Sequence, residues 1–162
     1  MLNSFYPDRS FQLFDKLLEQ PGCLCRIVTP HPEKVYQRLD RYQDYTGRAF
    51  YYWHEGQGLF RTDIPSIYAP NTGNFIKALH HISMSIHFGM YLFVDVGNAL
   101  QSPLAIKLLV QIIRKQSEHE KLLVFAGNEI ELPEQLSDYF TVLKHKVAAK
   151  NSTATNTALL AG

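Results

Sequence analysis

The sequence predicts an α/β protein, a three-layer α/β/α sandwich built on a mainly parallel sheet of about five strands. Two observations favour this class. Short runs rich in β-branched and aromatic residues alternate along the chain with stretches whose apolar residues recur at helical spacing. The run Met90–Gly97 (MYLFVDVG) begins with five apolar or aromatic residues, which is typical of a strand that helices bury on both faces. Because crossovers between parallel strands are right-handed, we expect helices on both faces of the sheet.

The first part of the chain contains two predicted helices and two predicted strands. Ser10–Glu19 has the apolar spacing of an amphipathic helix, which a Pro-Gly pair ends. Cys23–Thr29 (CLCRIVT) is the first strand, and its two cysteines are interpreted as buried thiols. Pro32–Gly47 is the next helix, since proline favours the first helical turn and glycine the C-cap. Arg48–His54 (RAFYYWH) is the second strand.

The alternation continues after a long connection, Glu55–Thr72. Connections of this length are uncommon in compact domains unless they are functional or mobile. The elements predicted after it are a helix Phe75–Ile86 capped by Asn71, Thr72 or Asn74, a strand Tyr91–Val96, a helix Pro103–Ile113 with Ser102 as N-cap, a strand Lys121–Ala126, a short helix Leu132–Tyr139 and a strand Phe140–Leu143. They complete a single domain, residues 1–147. Residues 148–162 are small and polar, so we expect a flexible C-terminal tail.

Composition and charge argue against two kinds of partner. Sixteen basic residues are balanced by fifteen acidic ones, and the net charge of +1 gives no electrostatic drive towards nucleic acid. No window of about 18 residues is continuously apolar, so we expect no membrane-spanning helix. The N-terminus lacks the basic and apolar regions of a signal peptide. With its cysteines interpreted as reduced, the chain is expected in the cytoplasm.

Polar side chains follow the predicted strands at what would be one edge of the sheet. They are His31, His54, Glu55, Asp95 and Asn128. In open α/β sheets ligands bind outside the carboxyl ends of the strands, so we treat these residues as candidate ligand-binding residues. Two histidines with carboxylates can bind a divalent metal or act as general acid and base. The alternative, surface histidines with an Asp that caps its own turn, is favoured because the spacing forms no local motif.

Four segments occur in an order that points to a family. They are CRIVTPHPEKV, AFYYWHEGQGL, YLFVDVGNAL and LLVFAGNEIELPEQLSDYFTVLKHKV. Through this order the chain, over roughly residues 10–147, resembles the N-terminal, degenerate P-loop-like domain of bacterial and chloroplast AAA-type ATPases of poorly defined function. The resemblance implies a P-loop NTPase-like topology that lacks the phosphate loop, with Asp95 at the Walker B position. In family members the AAA engine lies C-terminal to this domain, and we expect the present residues to lack it.

The residues at the catalytic positions do not fit ATP hydrolysis. A phosphate loop needs glycine amides and a lysine to bind phosphates, whereas the turn Thr29–Lys34 has no glycine and contains two prolines. Glu33 adds negative charge there. Asp95 is followed by Val96 and Gly97, so the catalytic glutamate is missing. We therefore expect no catalytic residue, no resident metal and no cofactor.

These observations favour a non-catalytic module for protein interaction or regulation. The expected partner is a protein, including a second copy of this chain, which would dock on an edge strand such as RAFYYWH or the last strand. Two alternatives stay open, each with its site at the carboxyl edge of the sheet. One is a metal-assisted hydrolase, and the other is a small-ligand or nucleotide sensor that uses Glu55–Thr72 as a lid.

Overall fold

The computed structural model describes residues 9–20 and 23–144, and the strands among them form one open sheet of six strands. The strands are β1 (Leu24–Val28), β2 (Phe50–His54), β3 (Gly58–Arg61), β4 (Gly89–Val94), β5 (Lys121–Gly127) and β6 (Phe140–Lys144). They lie in the order β3-β2-β4-β5-β1-β6, and of these pairs β2–β3 is antiparallel while the others are parallel. The predicted α/β class with a mainly parallel sheet is confirmed.

Helices cover both faces of this sheet. They are α1 (Ser10–Glu19), α2 (Pro32–Thr46), α3 (Phe75–Met84) and α4 (Pro103–Arg114), with two short 3-10 helices, Ala99–Gln101 and Glu134–Tyr139. Buried side chains of α1 and α2 pack on one face of the sheet, and those of α3 and α4 pack on the other. Two predicted N-caps are confirmed, since the Asn74 side chain accepts the amides that open α3 and the Ser102 side chain accepts one in α4. The three-layer architecture is therefore confirmed.

The central strand β4 is buried on both faces, as its composition predicts. Met90 and Leu92 contribute to the core under α1 and α2, and Phe93 to the core under α3 and α4, where its ring stacks on Phe125 with centroids 5.3 Å apart. The strand ends two residues before the predicted end. The cause is Asp95, whose backbone adopts the left-handed region with φ +50° and so leaves the extended conformation.

The long connection before α3 is more ordered than its length suggests. It contains β3, which forms a hairpin with β2, and Tyr68 adds an antiparallel bridge to Phe60 on the outer side of β3. The buried Thr72 hydroxyl accepts the amide of Leu59 at 2.9 Å and donates to the carbonyl of Ala69 at 2.7 Å. The connection is thus fastened to the edge of the sheet at several points.

The edges of the described sheet are β3 and β6. Of the two strands proposed from sequence for docking, β6 therefore lies at an edge, whereas β2 lies inside because β3 covers it. No helix within residues 9–20 and 23–144 is long and apolar enough to cross a bilayer. The predicted tail, residues 148–162, lies outside the described residues.

Candidate functional site

Three amides of the turn between β1 and α2, Thr29–Lys34, are bonded within the protein. The Thr29 amide donates to the carbonyl of Gly127 at 3.3 Å, and the His31 amide donates to Oγ1 of Thr29 at 2.9 Å. The Lys34 amide donates to the carbonyl of His31 at 3.0 Å. The two prolines of the turn have no N–H. These amides are therefore not available to bind a phosphate.

A buried arginine, Arg26, holds the carboxyl ends of two neighbouring strands. Its side chain donates to the carbonyls of Ile27 at 2.8 Å, Gly127 at 2.7 Å and Asn128 at 3.3 Å. Burial lowers the pKa of the guanidinium, and the nearby charge of Asp95 opposes that effect. Because the acceptors belong to β1 and to the end of β5, Arg26 ties these strands together at the sheet edge.

Asp95 lies against the end of β5. Its amide donates to the carbonyl of Ala126 at 2.9 Å, and its carboxylate occupies the space where a side chain on Gly127 would be. A Cβ on Gly127 would overlap Oδ1 of Asp95, and the φ of +140° at Gly127 is one that residues with a side chain rarely adopt. Asp95 is therefore packed on a glycine and interacts electrostatically with Arg26.

The other candidate residues from sequence are all at the carboxyl ends of strands but form no metal site. His31 lies with Nδ1 3.4 Å from Oε2 of Glu33, and both side chains are exposed. His54 and Glu55 are exposed where β2 turns towards β3, and the exposed Asn128 contributes its main-chain carbonyl to the arginine contact described above. No group of three His, Cys, Asp or Glu side chains in the described parts of the chain could hold a metal ion.

An aromatic cleft of about 600 Å³ opens at the same edge, on the face covered by α2. Its lining includes Tyr36 of α2, Tyr52 of β2, Phe60 of β3, Tyr68 of the connection, and the side chains of Glu33 and His54. The rings stand edge to face. The centroids of Tyr36 and Tyr52 are 5.1 Å apart with planes at 80°, and those of Phe60 and Tyr68 are 5.2 Å apart at 66°. The cleft therefore has walls of half-buried rings.

Carboxylates act on two rings of this cleft. Burial raises the pKa of the Tyr52 hydroxyl, and the charge of Asp95 raises it further. Burial likewise raises the pKa of Tyr36, with a further contribution from Asp40. Because the lining contains Glu33 and no lysine or arginine of the described chain, the cleft suits a neutral or cationic group better than an anion.

A second cleft, of about 550 Å³, lies at the opposite, amino end of the strands. Its lining includes Tyr91, His81 and Met84, and the side chains of Met84 and Ile86 are 63% and 65% exposed. Burial lowers the pKa of His81, as does the neighbouring His80. This cleft combines apolar surface with histidines at the end of α3.

One family model matches most of the chain. The model for the N-terminal domain of SpoVK-like AAA ATPases matches residues 12–145. The chain belongs to this family. The match confirms the resemblance to the N-terminal domain of AAA-type ATPases. No curated protein and no solved structure matches the chain.

In this SpoVK-like N-terminal domain, sequence reasoning located the edge of the sheet but missed two of its parts. Arg26 was not singled out, although a charged residue inside the apolar run CLCRIVT is a visible signal of a specific buried contact. Of the aromatic residues in the strand RAFYYWH, Phe50 and Trp53 are buried in the core, whereas Tyr52 is half-buried and lines the cleft.

Proposed function

We propose that this SpoVK-like N-terminal domain is a non-catalytic relative of P-loop ATPases that acts by binding another protein. The observation that carries the proposal is the turn after β1. Its amides at Thr29, His31 and Lys34 are bonded inside the protein, and its prolines contribute none. A domain that has the sheet of an ATPase but whose turn has its amides bonded in this way would act by binding a partner at its surface and not by hydrolysing ATP.

The direct test is a thermal unfolding experiment with ATP and Mg²⁺. A ligand at about 100 times its dissociation constant stabilises the folded state by about 2.7 kcal/mol. For a domain of this size, that corresponds to a rise in melting temperature of about 5–10 °C. We expect no saturable rise relative to Mg²⁺ alone and no release of phosphate. A rise of several degrees that saturates with ATP would overturn the proposal.

A second copy of the chain is one protein that the domain is proposed to bind. The strand β6 lies at the sheet edge, and Val142 on it is 53% exposed. Light scattering over a range of protein concentrations tests this, with Val142→Lys as the variant expected to weaken any dimer. A mass that stays monomeric at high concentration would remove self-association from the proposal.

The proposed location is the cytoplasm. The described cysteines, Cys23 and Cys25, are free and buried, which suits a reducing compartment. If the proposal is right, quenching cells with acid, alkylating the unfolded protein and analysing it by mass spectrometry would show both thiols reduced. A modified or oxidised thiol in the folded protein would argue for another compartment.

Of the two alternative functions, the small-ligand sensor has a specific observation in its favour, the aromatic cleft. Its volume of about 600 Å³ falls in the usual range of small-molecule sites. Native mass spectrometry of the purified domain would reveal a ligand that co-purifies. The metal-assisted hydrolase has no such support, because the described residues supply no metal-binding group of three side chains.

A further inference from the structure

The aromatic cleft has the geometry of a box. Tyr36 and Tyr52 stand at 80° to each other, Tyr52 and Phe60 at 76°, and Phe60 and Tyr68 at 66°, with centroids 5.1, 6.0 and 5.2 Å apart. Neighbouring rings are therefore roughly perpendicular to each other and do not form a parallel stack. In each edge-to-face pair one face is covered by the edge of its neighbour, and a group in the cleft would contact the ring surfaces that these contacts leave uncovered.

The electrostatics of the box favour a cation. No lysine or arginine lines the cleft within the described chain, whereas Glu33 does. The carboxylates of Asp95 and Asp40 act on its walls, since they raise the pKa values of Tyr52 and Tyr36 beyond the effect of burial. The lining also contains His54, which is exposed.

Aromatic faces combined with carboxylates are the chemistry that recognises organic cations. A cation near the face of a tyrosine or phenylalanine ring is attracted by the ring quadrupole, and the attraction grows when the site excludes water. Arginine adds stacking of its flat guanidinium, and lysine contributes a compact ammonium. Phosphates and carboxylates are repelled by the same charges. The cleft is also larger than one side chain needs, so the backbone that carries the cation can enter as well.

We propose that this cleft binds an arginine or lysine side chain presented by an extended, basic segment of a partner protein. The proposal rests on the proposed function as a protein-binding module and names the chemistry of its partner. The cation lies among Tyr36, Tyr52 and Tyr68, and Glu33 pairs with it. His31 competes for Glu33, because its Nδ1 lies 3.4 Å from the carboxylate.

The test is an NMR titration of the domain labelled with ¹³C in its tyrosine rings, at about pH 8. The probes are three capped tripeptides with a central arginine, lysine or citrulline between glycines. Citrulline matches arginine in shape but carries no charge. We expect the arginine and lysine peptides to shift the rings of Tyr36, Tyr52 and Tyr68 together, with dissociation constants on the order of millimolar. Citrulline should bind at least about tenfold more weakly.

Variants with a matched control assign the effect to the cleft. Tyr68→Leu should weaken binding at least about fivefold, and Glu33→Gln about two- to threefold. Tyr139→Leu changes a tyrosine that is 47% exposed outside the cleft, and it should leave binding unchanged. If Tyr68→Leu fails to fold, the exposed Glu33→Gln carries the test.

Several outcomes would overturn the proposal. They are equal binding of citrulline and arginine, shifts in Tyr139 rather than in the cleft tyrosines, and binding of tetramethylammonium without binding of the peptides, which would identify a site for small ammonium ions. The ATP experiment is independent of all three. A domain that ignores ATP and also ignores the peptides keeps the proposed function and loses this inference.

Discussion

Gly127→Ala is expected to destabilise the domain by about 2–4 kcal/mol, because Asp95 occupies the space of the new methyl group. Two costs contribute. An alanine at φ +140° adopts a strained backbone, which costs roughly 1–3 kcal/mol. The Cβ would also overlap Oδ1 of Asp95 and approach its amide nitrogen to 3.2 Å, so the carboxylate must move, at a further cost of about 1 kcal/mol or more.

A double-mutant cycle separates these two costs. Asp95→Gly removes the carboxylate and suits the φ of +50° at that position. In this background Gly127→Ala should retain the backbone cost and the approach to the amide nitrogen but lose the clash with the carboxylate, so the coupling free energy between the two sites is expected to be about 1 kcal/mol. The free energies come from urea unfolding with linear extrapolation, and the m-values should stay constant.

Gly47→Ala is the matched control. Gly47 has φ +78° at the end of α2, but no atom lies within 4 Å of the position of its Cβ. It should therefore show a backbone cost of about 1 kcal/mol and no coupling to Asp95. The reasoning is refuted if Gly127→Ala is no more destabilising than about 0.5 kcal/mol, or if the cycle with Asp95→Gly is additive.

Three further outcomes are expected. Arg26→Met should lower the free energy of unfolding by about 2–4 kcal/mol, since buried carbonyls lose a charged donor. If the variant is as stable in urea as the wild type, Arg26 does not stabilise the ends of β1 and β5. Thr72→Val should cost about 1–3 kcal/mol through the lost hydroxyl bonds to Leu59 and Ala69, and an unchanged urea midpoint would count against them. Burial raises the pKa of Cys23 and Cys25 from 9.0 to about 12. The free energy of unfolding is therefore highest below pH 9 and falls towards pH 12, by about 1 kcal/mol per thiol at pH 10. Replacing both cysteines with alanine should flatten this dependence of the unfolding free energy on pH in urea titrations, and an unchanged dependence would contradict the assignment.

The fold was predictable where an element has a continuous apolar run or a capping residue in the sequence. The apolar run of β4 identifies a strand covered on both faces, and the Asn74 and Ser102 caps identify helix starts. The end of β4 was not predictable, because a left-handed backbone such as that of Asp95 is uncommon for a residue other than glycine. The strand β3 was missed because only four residues of the long connection form it.

The site was predictable as a place but not as a set of side chains. The rule for parallel sheets correctly put His54 and Asp95 at the carboxyl edge. Which side chains converge there depends on α2 and on the hairpin that delivers Phe60 and Tyr68, and their separation in sequence from Tyr36 leaves no local motif. The sequence pattern of a strand is the same whether its aromatic residues pack in a core or line a cleft.

The edge of this sheet has the opposite electrostatic preference from that of a phosphate-binding edge. In a P-loop, free amides and the positive end of a helix attract an anion. Here the amides after β1 are bonded internally, and Glu33 stands in the first turn of α2, where a carboxylate is favoured by the helix dipole and offsets it. With the charge of Asp95 acting on Tyr52, we propose that this edge favours cations. On this proposal Glu33→Lys should weaken the binding of the arginine peptide without creating affinity for ATP, since the amides of Thr29, His31 and Lys34 stay bonded.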